Sequence, residues 1–278
     1  IEPYVKKLTN KNQQAEYYIT QLVDLLVRDR KGVAAVKGGA DQHFLGVNSP
    51  RELAQSEEII RQELVEHWLD RGVVVHNPDQ VRIAPTVVID PGVEITGPLE
   101  LHGQSYVQRG TRLDSHVWIK DSRLGPGAWV RNFSHLEGVR VGQNCRVGPF
   151  ARLRPEAELK AEARAGNFVE IKKAVLDKGC KVNHLSYIGD AYLGEEVNVG
   201  AGTITCNYDG RNKHLTYVGK QSFIGSNTAL VAPVKVGENS LIGAGSVVTR
   251  DVPEETLAVT RARQKHLVRK KTRDHGKD

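Results

Sequence analysis

The stretch VGKQSFIGSNTALVAPVKVGENSLIGAGSVVTR, residues 218–250, sets an apolar residue at every sixth position: Val218, Ile224, Leu230, Val236, Ile242 and Val248. A helix repeats every 3.6 residues and a strand every two, and neither alone explains a sustained step of six. A short flat strand followed by a corner does explain it. Three such sides close a triangular coil of about eighteen residues, with the apolar rung inside and stacked on the rung of the next coil.

The same phase runs upstream. It begins at Ile83 and steps by six through Ile89, Ile95, Leu101, Val107 and Leu113 to Ile119. With occasional five-residue steps it continues through Leu124, Val130, Leu136, Val141, Val147, Leu153, Leu159, Ala165, Ile171, Leu176, Val182, Ile188, Leu193 and Val199 to Thr205. Of these 28 rungs, 26 are Ile, Leu or Val, and ten are followed by Gly, as at Val199-Gly200 and Ile224-Gly225. Small corner residues avoid crowding, and Gly is also expected there for its positive φ. An ordinary β-sandwich would not hold one phase for this long.

The step from Thr205 to Val218 is thirteen. The segment CNYDGRNKHLTY, 206–217, cannot fit one side of the coil and is expected to project as an external loop, a common place for function on a rigid scaffold.

Before residue 73 the rhythm is helical. Gln14 to Arg28 carries Tyr18, Leu22, Leu25 and Leu26 on one stripe. Ser49-Pro50 is a capping pair, and Leu53, Ile60, Leu64 and Trp68 mark a long helix that Gly72 ends. The expected organisation is an α-rich segment 1–49, a connecting helix 50–72, a coil domain 73–252 and a tail 253–278. The tail from Arg261 is strongly basic and reads as solvated, with Arg261 itself the best ligand candidate.

Charge narrows the function. Lys plus Arg is 39 and Asp plus Glu is 33, a net charge of +6. That favours anionic ligands but is too small to imply nucleic-acid binding. No apolar run is long enough to span a membrane and none resembles a signal peptide. Three widely spaced cysteines, Cys145, Cys180 and Cys206, argue against a disulfide scaffold and for a reducing cytoplasm. The chain starts at Ile1 and has no Met, which suggests a fragment.

Arg154 and Lys172 stand eighteen residues apart, about one coil, and with Lys173 could hold an anion, Arg through its fork and Lys as a point charge. A surface charge ladder is the bland alternative. His184, with Tyr187 nearby and Asn198 about a coil on, could remove a proton from a nucleophile, although a lone His is more often structural. Glu170 could orient a partner or be a plain surface carboxylate. His102, His116, His135 and His184 fall at different offsets from their rungs, which disfavours a histidine zinc site. No serine-hydrolase elbow or P-loop is present.

The runs RLRPEAEL, GNFVEIKK, NHLSYIGDA, VNVGAGTITCNYDG, FIGSNTALVAPVKVG and GAGSVVTRDVP resemble the acetyltransferase domain of the bacterial bifunctional N-acetylglucosamine-1-phosphate uridyltransferase and glucosamine-1-phosphate N-acetyltransferase family. The likeness extends back through LTNKNQQAEYYIT and FLGVNSPRELAQ. It implies a mainly β fold, a left-handed parallel β-helix of hexapeptide repeats, preceded by a remnant of an α/β nucleotidyltransferase domain. It also implies a homotrimer. By resemblance His184 is the general base, and Arg154, Lys172, Tyr187 and Asn198 bind the sugar phosphate. Ala201, Asn207, Tyr208, Ser226, Ala244 and Arg261 line acetyl-coenzyme A. Asn48 matches a magnesium and nucleotide-sugar ligand of the other domain. The glycine-rich loop of that domain is missing, so uridyl transfer and its magnesium are not expected of this chain. The implied reaction is acetyl transfer to glucosamine 1-phosphate in the cytoplasm, for cell-wall and lipopolysaccharide precursors. The alternatives are a non-catalytic hexapeptide-repeat subunit and an acetyltransferase for another amino sugar.

Overall fold

The computed structural model describes residues 1–38 and 46–268. Gly39, the Phe44-Leu45 pair of the FLGVNSP motif and the last ten residues of the basic tail lie outside the described residues. The chain divides into two units, Ile1–Ser56 and Glu57–Asp278.

The first unit is helical and open. Helix α1 spans Glu2–Val5 and α2 spans Gln21–Arg28. The apolar stripe from Gln14 suggests a longer helix, but Asn12 competes with it. Its Oδ1 accepts from the backbone N–H of Gln14 and Glu16, holding that segment in a turn. Helix α3, Pro50–Leu69, starts as expected. Ser49 Oγ accepts from Glu52 N–H at 3.2 Å, and the Glu52 carboxylate reaches back to Asn48 N–H at 2.6 Å. Gly72, at φ +80°, follows its end.

The second unit is a parallel β-solenoid with three faces. The first face runs from strand Val74–His76 through Arg146–Val147, Arg164–Asn167 and Lys181–His184 to Leu257–Ala258. The other two faces are joined by strands Glu170–Leu176 and Tyr187–Leu193, which bend round a corner and serve both. Successive coils pair rung on rung: Leu113 with Val130, Val130 with Val147, Val147 with Ala165, and Ala165 with Val182. All 28 rungs are buried, none more than 4% exposed. Full burial of a Leu, Ile or Val is worth about 1.5–3 kcal/mol, so the ladder is the core. Across the external loop the step lengthens, and Val199 pairs with Ile224.

The solenoid extends past both the first and the last rung. Val74–His76 pairs with Glu94–Thr96 before the first rung, and Ile242 pairs with Ala258 after the last. The final coil escapes the pattern because a short step carries Val248 to Val252 and the next inward residue is only Ala258. At the opposite end, Val65 and Trp68 of α3 join the core, and Arg61 donates to Pro78 O at 2.7 Å. These contacts close a rung that would otherwise face water.

Glycines after rungs are there for space, mostly not for positive φ. A Cβ on Gly142 would meet Leu159 O at 2.8 Å, and one on Gly194 would meet Lys220 N at 2.7 Å. Positive φ at the first corner falls instead on His116, Phe133, Phe150, Phe168 and Leu185. The rings of the first four stack at centroid spacings of 4.6, 4.8 and 5.1 Å. Such stacking offsets part of the left-handed strain.

Candidate active site

His184 ends a first-face strand, two positions past rung Val182, and pairs in register with Asn167 of the preceding coil. Its Nδ1 lies 2.7 Å from Asn167 Oδ1. An amide oxygen only accepts, so Nδ1 carries the proton and the Nε2 lone pair is free on an exposed ring.

The position held by His184 is taken one coil later by Ala201, then by Ser226 and Ala244, each two past its rung. The residues just before them are Gly200, Gly225 and Gly243. A Cβ on Gly200 would lie 2.5 Å from Ser226 N, and one on Gly225 2.5 Å from Ala244 N. A track of small side chains therefore leads from the imidazole toward the last coils. Arg261 closes it, donating to Ala244 O at 2.6 Å. Such a track suits a slender chain ending in an anion.

A second group gathers on the second face. Arg154 N–H donates to Ile171 O at 2.8 Å, which places Arg154 beside Lys172 one coil on, and Lys172 pairs with Gly189. The Tyr187 hydroxyl lies over Gly189, where a Cβ would come within 2.4 Å of it. Glu170 accepts from Arg154 at 2.9 Å, so its carboxylate orients that guanidinium and is not aimed at His184.

The external loop completes this group. Tyr208 and Lys213 form an antiparallel bridge at its neck. Asp209 accepts from the N–H of Arg211 and Asn212, each at 2.7 Å, and faces His214 at 2.7 Å. Those bonds, the one from Asn212 first, hold the Asp209 carboxyl well below the usual range. Asn207, 7% exposed, donates to the buried carboxylate of Asp190 at 2.5 Å, while the Tyr208 hydroxyl donates to Gly210 O. The loop is thus preformed, and it delivers Lys213 onto Lys172. Side-chain contact with Lys213, then repulsion from its charge, holds Lys172 below the ordinary lysine value; Arg154 adds to this and Asp190 opposes it.

Lys213, Asn167 and Asp190 are the residues that sequence reasoning did not single out. Lys213 was visible only as one more cation in the loop. Asn167 stands seventeen residues before His184, a full coil that only the rung register turns into contact. Asn198 stands apart. It lies one position before rung Val199 on the first face, paired with Lys181, whereas Arg154 and Lys172 face outward from the second. One chain does not gather these residues round a single sugar. Asn48 belongs to the first unit, where its N–H is bound to Glu52. Among the described residues no three His, Cys, Asp or Glu side chains converge as a metal cluster.

Stacked six-residue rungs with a free imidazole at the head of a small-residue track define a hexapeptide-repeat transferase. The family described as bacterial transferase hexapeptide (six repeats) matches residues 216–250. The chain is 55% identical over 270 residues to the bifunctional protein GlmU of Nitratidesulfovibrio vulgaris (strain Hildenborough), covering 97% of this chain and 59% of that one. It is 55% identical over 273 residues to GlmU of Oleidesulfovibrio alaskensis (98% and 59%) and 44% identical over 259 residues to that of Heliobacterium modesticaldum (93% and 56%). Over nearly its whole length the chain is similar to these bifunctional GlmU proteins. It spans under two thirds of the length of these relatives. Among solved structures, the Francisella novicida UDP-N-acetylglucosamine acyltransferase aligns over 67% of each chain at TM-score 0.43 and 15% identity, too distant to add to the site.

Proposed function

We propose that this chain transfers acetyl from acetyl-coenzyme A to the amine of glucosamine 1-phosphate, acting as a trimer in the cytoplasm. The observation that carries the reading is the free Nε2 of His184, fixed by Asn167, at the head of the Ala201–Ser226–Ala244 track. The track and Arg261 fit the coenzyme's pantetheine arm and a phosphate. Arg154, Lys172 and Lys213, with Tyr187 laid over Gly189, fit the acceptor's phosphate and ring.

The amine attacks the thioester carbonyl, and His184 Nε2 takes a proton from the ammonium that forms. Collapse breaks the carbon–sulfur bond, and the thiolate leaves and is protonated by the imidazolium. The products are N-acetylglucosamine 1-phosphate and free coenzyme A. Holding the phosphate fixes the amine against the carbonyl and removes much of the entropic barrier.

The separation of Asn198 from Arg154 and Lys172 supports sites shared between copies. The exposed corner stripe Phe133–Phe150–Phe168–Leu185, each about half exposed, supports close packing of copies along the solenoid axis.

A turnover assay with acetyl-coenzyme A across several amino-sugar phosphates tests the reading. Preference for glucosamine 1-phosphate is expected. Faster turnover with another amino sugar reassigns the acceptor, and no turnover with any returns the protein to the binding-subunit alternative.

A further inference from the structure

We propose that the first face carries a second anion site, formed by Arg131, Arg146 and Arg164, that takes a pyrophosphate-type group beside His184. It goes beyond the acetyl-transfer reading, whose acceptor phosphate is assigned to the second face.

Arg146 and Arg164 are register partners in adjacent coils, and Arg131 stands one position past rung Val130 in the coil before them. Their strands border a recess of about 280 Å³ with His184 and Trp129 among its walls. Arg131 is held over the Trp129 ring, 5.2 Å from its centroid, and the indole N–H donates to Asp114 at 3.0 Å. That contact preorients one guanidinium without using up its N–H donors.

The three arginines differ from Arg112 and Lys181 of the same face. Arg112 is paired with Asp114, Lys181 with Glu196, and Arg154 with Glu170. Among the described residues no carboxylate pairs with Arg131, Arg146 or Arg164. Like charges directly opposite on adjacent strands repel. Three unneutralised forks on three successive coils, whose strands run about 5 Å apart, therefore call for an anion carrying more than one charge.

Shape favours a small anion over a flat acidic protein face. The floor of the recess is Gly148 and Gly166. A Cβ at Gly148 would come within 2.2 Å of Ser134 Oγ, and one at Gly166 within 2.0 Å of Asn183 O, so the floor stays bare. Two linked phosphoryl groups fit such a recess and can be gripped by three planar forks.

Calorimetric titration of the full chain with inorganic pyrophosphate, at low salt and without substrates, tests this. The parent should show two classes of site. R146Q/R164Q should lose one class or weaken it at least about tenfold, while R154Q/K172Q retains it. The replaced side chains are exposed, and Arg131→Gln serves as a second, single variant. The proposal is overturned if pyrophosphate does not bind the parent, if R146Q/R164Q and R131Q titrate like it, or if R154Q/K172Q removes all binding. Binding is read without turnover, so such a failure leaves the acetyl-transfer reading untouched.

Discussion

Thr205 Oγ1 takes both backbone groups of Gly189, accepting from its N–H at 2.8 Å and donating to its carbonyl at 3.0 Å. Elsewhere on this face the next coil's backbone does that work, as where Arg154 N–H meets Ile171 O. The chain leaves the solenoid just past Thr205, so a hydroxyl replaces the missing ladder bonds. This is why the one polar rung stands at the root of the loop.

Thr205→Val, which would restore an apolar rung, should therefore destabilise the fold by about 1–3 kcal/mol, because it orphans two buried backbone groups. Thr216→Val should be neutral or stabilising, since Thr216 Oγ1 is buried with no partner among the described residues. Urea midpoints at constant slope measure both. Equal effects of the two changes would refute the account.

His184→Ala should lower turnover about a hundredfold to ten-thousandfold while leaving acceptor binding largely intact. Asn167→Ala should cost less, because the imidazole remains but its tautomer is no longer held. Near-parental turnover of His184→Ala at saturating substrate would remove it as the base.

Gly189→Ala should raise the acceptor KM severalfold with little change in stability. The new methyl would meet the Tyr187 hydroxyl, the movable end of a long side chain, not a fixed backbone. Tyr187→Phe should not reproduce the effect if displacement of the ring is what matters. Kinetics and thermal midpoints on both variants decide it.

Lys172 is held below its ordinary pKa by contact with Lys213, and a bound phosphate should raise it again. On the alkaline side, between the free and bound values, acceptor binding should take up a proton. Affinity should then fall as pH rises through the free-protein value. Titration in two buffers of different ionisation enthalpy measures the uptake, and Lys213→Ala should diminish it. Absence of proton uptake across the alkaline range counts against this.

Cys145 and Cys180 should resist thiol reagents in the native protein and react on unfolding. Both are buried, and burial pushes the Cys145 thiol up to about 11 and Cys180 higher still. Cys206 should be the thiol that labels first, since it is partly exposed at the loop root. Mass spectrometry after brief labelling reads the order.

The rungs and the projecting loop could be read from the chain because a solenoid core is nearly one-dimensional. Each inward residue is set by its distance along the chain, and any insertion breaks the count visibly. Ala258 was lost to that count because a small inward residue after a shortened step carries no hydrophobic signal. His184, Arg154, Lys172 and the track residues could be proposed from the motifs that surround them. What they do to one another could not, since contacts between coils depend on where each five- or six-residue step falls. Only the folded register sets Asn167 against His184 and so chooses the tautomer. Only the folded loop carries Lys213 onto Lys172, and only the fold turns Asn198 to a different face from Arg154. Side-chain period alone determined which residues point inward. Which outward residues meet was decided by the stacking of coils, because neighbours across a parallel coil lie a full turn apart in sequence but about 5 Å apart in space.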